Sequence, residues 1–539
     1  KLISLRVDIE REILPLLESL GNTTGFKYPV SKDRYMPFRV IQVGNIVERL
    51  YSFRLRTTDV QLLGSDHSIG LLEAIYRRKY ARFGTSGVRG RWQVDFTEGR
   101  AKLVVHAICD FLKNQEVPSY VGSEDIRGKT VVIGYDSRKH ARTVAEWAAQ
   151  VCIANGFNVH LANRDTPTPA LVAYLTEFSP TENVAGLINC TASHNPPEWQ
   201  GIKFNPRQGY PAPTNLTDYI AARANQYQLL DMSAPEANLA DAESRGVLSG
   251  FDPIAKYSQW ILNSGKDNQR ISINTERIRE YFGDRLIIVD EMHGAGRGYL
   301  SRLLGEIGVR FQVIHSERDS NIPGLDYANP EEPFINDLKD AVKTSDNAIL
   351  GLGLDTDADR FGVVDFDGTY FRPNQVLPML VRYLAVDRKL QGRIVATQTG
   401  SPLIDALAGI ASGNNLEFEP LPNTVPAYIS HPYYRRVVGQ KEDRVFNHTY
   451  MVPVGIKYIE EVRRTDRQDR LLKNHPSNWR DILLIGGEES SGLTTRGHVT
   501  DKDGIWADLL LLDMIAYYQK PLSDIWEDTW RLDRLPFFG

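Results

Sequence analysis

Three times along this chain an apolar run stops abruptly in a tight polar or glycine-rich turn. The run 184–190 breaks at Thr191-Ala192-Ser193-His194-Asn195-Pro196 and the run 349–354 at Asp355-Thr356-Asp357-Ala358-Asp359-Arg360. The run 482–485 opens into Gly486-Gly487-Glu488-Glu489-Ser490-Ser491-Gly492. Short apolar runs bounded by turn residues read as buried strands. Helical patterns lie between them, so the order predicts open α/β sheets. Such sheets bind ligands at the carboxyl ends of their strands, where these turns fall. The expected fold is three similar mixed-sheet α/β domains around a central cleft, each pointing one loop inward.

In the first of these units, helices are expected over 97–114 and 139–155 and strands over 130–135, 157–161 and 184–190. A return strand over 201–205 carries Lys203 back toward Ser193. The polar, alanine-rich stretch 221–249 reads as a helical connector. The second unit has strands over 285–289, 310–314 and 349–354, a helix running through 304, and a return strand over 361–366. The third has a strand over 393–397, a loop and helix start over 445–457, a strand over 482–485 and a long apolar helix over 505–518. The domains are drawn at 79–245, 246–370 and 371–539. Residues 1–78 carry helical patterns near 8–20 and 69–78 and no ligand-like spacing; they form an N-terminal extension of unknown role.

The length of 539 residues leaves room for several cores. Net charge is -5, with no long Lys/Arg run, so nucleic acid is not an expected partner. No stretch reads as a membrane span or signal peptide, and no membrane association is expected. Cys109, Cys152 and Cys190 are widely separated in sequence and match neither a zinc knuckle nor a disulfide framework. A reducing, cytoplasmic setting fits that usage.

The turns carry the chemistry. A hydroxyl at the mouth of a strand, as at Ser193, can act as a nucleophile or phosphate carrier. Ser and Asn also cap backbone groups in plain turns. Asp355, Asp357 and Asp359 repel one another unless a hard cation compensates them. An EF-hand is excluded by Arg360 at its sixth position and Phe366 at its twelfth. Three oxygens in a compact loop suit Mg2+. Lys203 and His194 are acid or base candidates, with a solvated lysine and a loop-positioning histidine as the plain alternatives. Arg360 either orients a carboxylate or contacts the reacting region. Phe83-Gly84-Thr85-Ser86-Gly87-Val88-Arg89-Gly90 brings backbone amides and the Arg89 fork within reach of an anion. Glu488 and Ser490 offer hydrogen bonds of the kind sugar hydroxyls take, or cap a helix.

These four stretches, in this order, resemble the signatures of the α-D-phosphohexomutase superfamily, which includes phosphoglucomutases and phosphomannomutases. The resemblance covers about residues 80–539. It implies that Ser193 is phosphorylated in the active enzyme and that Ser193, Asp355, Asp357 and Asp359 hold Mg2+. It implies phosphoryl transfer to a hexose phosphate through a hexose 1,6-bisphosphate, with glucose 1,6-bisphosphate as activator. Lys203 would be the general acid/base, Arg89 and His194 would assist, and Arg360 matches the arginine of the metal loop. Glu488 and Ser490 match the sugar-recognition pair, and Lys457 would line the cleft. The Glu-Glu-Ser form of that loop leans toward glucose phosphates, with mannose phosphates as further substrates. A monomer or weak dimer is expected.

Three departures stand out. Thr356 replaces a usual proline, residues 1–78 are additional, and nothing after Gly492 matches the family's Arg-Ser-Gly-Thr phosphate clamp. A fourth domain beyond Gly539 is the expected explanation of the last. The alternatives to a mutase are a sugar-phosphate phosphatase, a bisphosphate-forming phosphotransferase and a non-catalytic sugar-phosphate-binding protein.

Overall fold

A computed structural model describes residues 81, 83–84, 87–114, 128–179, 183–265, 270–411, 449–468 and 483–531. The N-terminal extension, with its two helical expectations, and Thr85-Ser86 lie outside the described residues. Strands β1 (Val88–Arg91), β2 (Thr130–Tyr135), β3 (Asn158–Ala162), β4 (Val184–Cys190), β5 (Trp199–Pro206) and β6 (Leu248–Phe251) form one sheet in the order β1-β5-β4-β2-β3-β6. A second sheet takes β7 (Leu286–Asp290), β8 (Arg310–Ile314), β9 (Ala348–Leu354), β10 (Phe361–Asp365) and β11 (Tyr370–Phe371) in the order β11-β10-β9-β7-β8. The third joins β12 (Arg393–Thr397), β13 (Thr449–Val452), β14 (Leu483–Gly487) and β15 (Leu493–Thr495) in the order β13-β12-β14-β15.

One topology underlies all three. Without their edge strands the sheets read β5-β4-β2-β3, β10-β9-β7-β8 and β15-β14-β12-β13. In each, three strands run parallel and the fourth returns antiparallel from the central strand. The three motif turns are the hairpin connections onto those returning strands. Every residue of β2, β4 and β7 is buried, as expected of central strands covered by helices on both faces. That cover explains why these strands read as unbroken apolar runs rather than as alternating ones.

The structure departs from the expected elements in two places. The stretch 221–249 is not one connector: a helix over Thr214–Leu229 ends, a short helix follows over Leu239–Ser244, and β6 then adds to the first sheet beside β3. This sheet therefore runs past the boundary drawn at 245. After β7, as expected, a turn leads into a helix that runs through 304: residues 291–298 form a loop under the acidic turn and the helix spans Tyr299–Ile307. Within 445–457, residues 449–452 form a parallel strand beside β12.

The sheets are locked together close to the three turns. Thr168 N donates to the Asp357 carbonyl at 2.9 Å, and Phe361 N to the Ser491 carbonyl at 3.1 Å. Gly504 opens the helix Gly504–Tyr518 and donates its N–H to the Ala358 carbonyl at 3.1 Å. A Cβ at Gly504 would stand 2.3 Å from the Arg360 carbonyl oxygen, so only glycine permits this approach. The three cysteines are buried, with Cys109 Sγ 3.7 Å from Cys152 Sγ.

Candidate active site

Each of the three hairpin turns holds one non-glycine residue in left-handed backbone: Ser193 at φ 53°, Ala358 at φ 53° and Ser491 at φ 68°. Such conformations cost on the order of 1–3 kcal/mol and persist where surrounding contacts fix them. Here the fixing contacts can be named.

Under the first turn lies Arg138, which follows β2. Its Nη1 donates to the carbonyls of Pro196 at 2.6 Å and Trp199 at 3.1 Å, and its Nη2 donates to those of Ser193 and Asn195. Asp136 Oδ2 holds Arg138 Nε at 3.2 Å. Burial pushes the Asp136 carboxyl up to about 6 against the pull of Arg138. With four carbonyls drawn toward Arg138, the Ser193 side chain is left facing the acidic turn. Ser193 Oγ lies 3.4 Å from Asp355 Oδ2 and 3.4 Å from His194 Nδ1. Burial, then Arg360 and Arg89, push His194 down to about 3, so its imidazole is neutral at pH 7. Arg89 reaches the same loop from β1, where Nη1 donates to Asn195 Oδ1 at 2.7 Å. The close pairing of β1 with β5 needs Gly201, where a Cβ would meet the Thr191 carbonyl oxygen at 2.4 Å.

Asp355, Asp357 and Asp359 are fully buried and offer one ligand atom each within 4.8 Å of one another. Their oxygens divide into tied and open. Asp355 Oδ1 accepts from the N–H groups of Asp359 at 2.9 Å and Arg360 at 3.1 Å, leaving Oδ2 toward Ser193. Asp357 Oδ2 accepts from Thr168 Oγ1 at 2.6 Å and Lys203 Nζ at 2.7 Å, while its Oδ1 is buried without a hydrogen-bond partner among the described residues. Asp359 Oδ2 takes Lys203 Nζ at 3.0 Å, and its Oδ1, without a hydrogen-bond partner among the described residues, faces the Lys502 ammonium at 3.4 Å.

Burial, then the Asp359 and Asp357 carboxylates, push the Asp355 carboxyl well above the ordinary range. Three carboxyl groups thus crowd one buried point, with the ammonium groups of Lys203 and Lys502 at its edge. Buried open carboxylate oxygens beside a hydroxyl are the donor set of a hard divalent cation such as Mg2+. Lys203 lies at the flank of that position. Despite its burial, Asp357 and Asp359 raise its pKa, so the amine arrives protonated.

The third turn closes the cleft. Glu488 is buried, its N–H donates to the Gly492 carbonyl at 2.8 Å, and its Oε2 lies 3.6 Å from Lys502 Nζ. Ser490 is half-buried beside it, and Glu489 bonds Thr397. Lys502 therefore spans from Asp359 to Glu488. A cleft at this junction is lined by Phe83, Lys203, Asp359, Ile456, Asp501 and Lys502 among others.

Most residues singled out from the sequence meet here: Arg89, Ser193, His194, Lys203 and the three aspartates, with Glu488 reached from Asp359 through Lys502. Arg360 follows the acidic turn with Nη1 3.4 Å from Asn329 Oδ1. Lys457 is buried at the seam with the first sheet, where Nζ donates to Thr214 Oγ1 at 3.1 Å. Sequence reasoning missed Arg138, Thr168, Asn189 and Lys502. The turns Asp136-Ser137-Arg138, Thr166-Pro167-Thr168-Pro169 and Asp501-Lys502-Asp503-Gly504, each next to a helix, were the available signal for Arg138, Thr168 and Lys502.

Three family models match in order: "Phosphoglucomutase/phosphomannomutase, alpha/beta/alpha" domain I over 81–231, domain II over 265–368 and domain III over 443–532. A phosphoglucomutase of Komagataeibacter xylinus is 26% identical over 500 residues, covering 87% of this chain and 77% of that protein. A phosphomannomutase of Mycoplasma pneumoniae is 26% identical over 353 residues, covering 62% of this chain and 59% of its own. The solved open form of parafusin, a phosphoglucomutase from Paramecium, shares the fold at a TM-score of 0.63 and 20% identity, covering 85% of this chain and 74% of that one. Among the described residues, no helix is long and apolar enough to cross a membrane.

Proposed function

This chain belongs to the phosphoglucomutase/phosphomannomutase family, and on that premise we propose that it interconverts glucose 1-phosphate and glucose 6-phosphate, with mannose phosphates as further substrates. Ser193 is the phosphoryl carrier. In the forward half-cycle the Oγ–P bond of phospho-Ser193 breaks as a P–O bond forms to the free hydroxyl of the hexose phosphate. The hydroxyl loses a proton and Ser193 Oγ gains one. Lys203, held protonated by Asp357 and Asp359, is the donor. His194, held neutral, is available to accept. The bisphosphate reorients, and the second half-cycle returns its other phosphoryl group to Ser193 and both protons to their sources. Glucose 1,6-bisphosphate primes an unphosphorylated chain.

Asp355, Asp357, Asp359 and the Ser193 oxygens would hold Mg2+, which when bound offsets charge on the transferring group. Arg89 adds a second cation beside the Ser193 loop. Glu488 and Ser490 take sugar hydroxyls, and Arg360 and Lys457 border the space the sugar phosphate enters. The reading is carried by one observation: Ser193 Oγ stands 3.4 Å from Asp355 Oδ2 at the edge of a fully buried acidic triplet.

A coupled assay tests it, with glucose 1-phosphate or mannose 1-phosphate, Mg2+ and a trace of glucose 1,6-bisphosphate, run beside Ser193→Ala. Hexose 6-phosphate formed by the unmutated chain and not by the variant supports the reading. Free phosphate or accumulated bisphosphate as the main product replaces it with a phosphatase or a phosphotransferase. No turnover of any kind, with no phosphate on Ser193, leaves a binding protein.

A further inference from the structure

Asn189 and Lys203 are register partners across β4 and β5. Both converge on Asp357 by different routes. Lys203 reaches Asp357 Oδ2 directly. Asn189 reaches it through a relay, since its Nδ2 donates to Thr168 Oγ1 at 2.8 Å and Thr168 Oγ1 donates to Asp357 Oδ2 at 2.6 Å. A carboxylate only accepts, so the Thr168 hydroxyl proton points at Asp357 and its lone pair receives the Asn189 amide. Thr168 also grips the main chain, with its N–H on the Asp357 carbonyl at 2.9 Å. All three side chains are buried, 1% exposed or less.

We propose that Thr168, oriented by Asn189, is a positioning residue that sets the divalent-cation affinity of the acidic turn. The inference rests on the reading that Asp355, Asp357 and Asp359 hold a cation. Fixing Asp357 Oδ2 from Thr168, at the start of the helix Thr168–Ala173, fixes the rotation of the carboxylate and so the direction of Oδ1. Oδ1 is a buried oxygen with no hydrogen-bond partner among the described residues, which is the state of a ligand atom aimed at a cation. Outer partners of this kind hold ligands in place, and their loss typically costs ten- to hundredfold in metal affinity. The relay also spans two sheets: Thr168 and Asn189 belong with Ser193, and Asp357 belongs to the next unit. The cation site therefore forms only when the Ser193 unit is docked correctly.

The test is a Mn2+ titration of the dephosphorylated full chain, read by the spin-resonance signal of free Mn2+, with Mg2+ as competitor. Thr168→Val keeps shape and backbone contact but removes the hydroxyl; it is expected to weaken Mn2+ binding ten- to hundredfold. Thr168→Ser restores the hydroxyl and is expected within about threefold of the unmutated chain. Asn189→Ala, which leaves Thr168 in place but frees its hydroxyl, is expected several-fold weaker. In Thr168→Val the kcat should recover at saturating Mg2+, with the loss confined to the Mg2+ requirement. Unchanged Mn2+ affinity in Thr168→Val overturns the inference; if that variant does not fold, unchanged affinity in Asn189→Ala overturns it. Absence of Mn2+ binding by the unmutated chain, or equal binding by Asp357→Asn, refutes instead the cation reading on which it rests.

Discussion

Lys203 Nζ lies 2.7 Å from Asp357 Oδ2 in a pocket that excludes solvent from both groups. Removing one partner of a buried pair leaves the other charge uncompensated, at a cost of roughly 3–5 kcal/mol. Lys203→Met should therefore melt at lower temperature in chelator, and added Mg2+ should raise its melting point more than it raises that of the unmutated chain. Turnover should fall about 10²–10⁴-fold, the usual size of a lost acid/base contribution. Lys203→Arg should not rescue it, because a planar fork does not replace a compact ammonium. Differential scanning calorimetry with and without Mg2+, beside the coupled assay, checks both parts.

Arg138 holds four carbonyls of the Ser193 turn. Lysine keeps the charge but cannot reach all four. Arg138→Lys should lower kcat on the order of tenfold or more, since each unmade buried hydrogen bond costs about 1–3 kcal/mol. KM for the hexose phosphate should change little, because Arg138 lies beneath the turn rather than in the cleft. Steady-state kinetics with mass-spectrometric phosphate content at Ser193 tests this; a KM effect with kcat preserved would contradict it.

Lys502 connects the acidic turn to the third loop, 3.4 Å from Asp359 and 3.6 Å from Glu488. The pair should be energetically coupled. A double-mutant cycle of Glu488→Gln and Lys502→Met, read in kcat/KM, should give a coupling term of about 0.5–3 kcal/mol. Additive losses would mean that the two act on the substrate independently.

Asp508 sits inside the helix Gly504–Tyr518 with both carboxylate oxygens buried and unpartnered among the described residues. Burial, then Asp503, push its carboxyl well above the ordinary range. The folded chain keeps Asp508 protonated while the unfolded chain ionises it near pH 4. The stability it contributes is present below that pH and is lost as pH rises toward the folded-state pKa. Asp508→Asn cannot ionise, so it should be more stable than the unmutated chain at pH 8 and nearly equal at pH 3. Each unit of upward shift corresponds to ~1.4 kcal/mol. Thermal unfolding across that range checks the sign.

Much of the architecture was legible because its signals are local. Buried central strands such as β2 and β4 are unbroken apolar runs, and their ends coincide with polar turns. Residue type and spacing marked the acidic triplet and the Ser193 turn as candidates, and the structure brings the two together. Among the edge strands β8 was legible, whereas β1, β6 and β13 were not. Leu248–Phe251 is largely exposed, with Ser249 and Gly250 in its middle, and carries no apolar pattern. The loop 291–298 was legible as a glycine-rich turn, but its passage beneath Asp355 and Thr356 was not, because it rests on contacts distant in sequence. The same limit hid Thr168, which lies 189 residues from the carboxylate it orients. Lys457 was named by resemblance alone, and nothing in its spacing announced the Thr214 hydroxyl that its ammonium meets.

The account turns on Ser193 as a regenerated phosphoryl carrier. The most direct measurement is incubation of the full chain with Mg2+ and glucose 1,6-bisphosphate carrying labelled phosphorus, followed by peptide mapping. The account predicts label on the peptide containing Ser193, its transfer to added glucose 1-phosphate or glucose 6-phosphate, and no label in Ser193→Ala. Label elsewhere, or label on Ser193 that water removes but hexose phosphate does not, would contradict it.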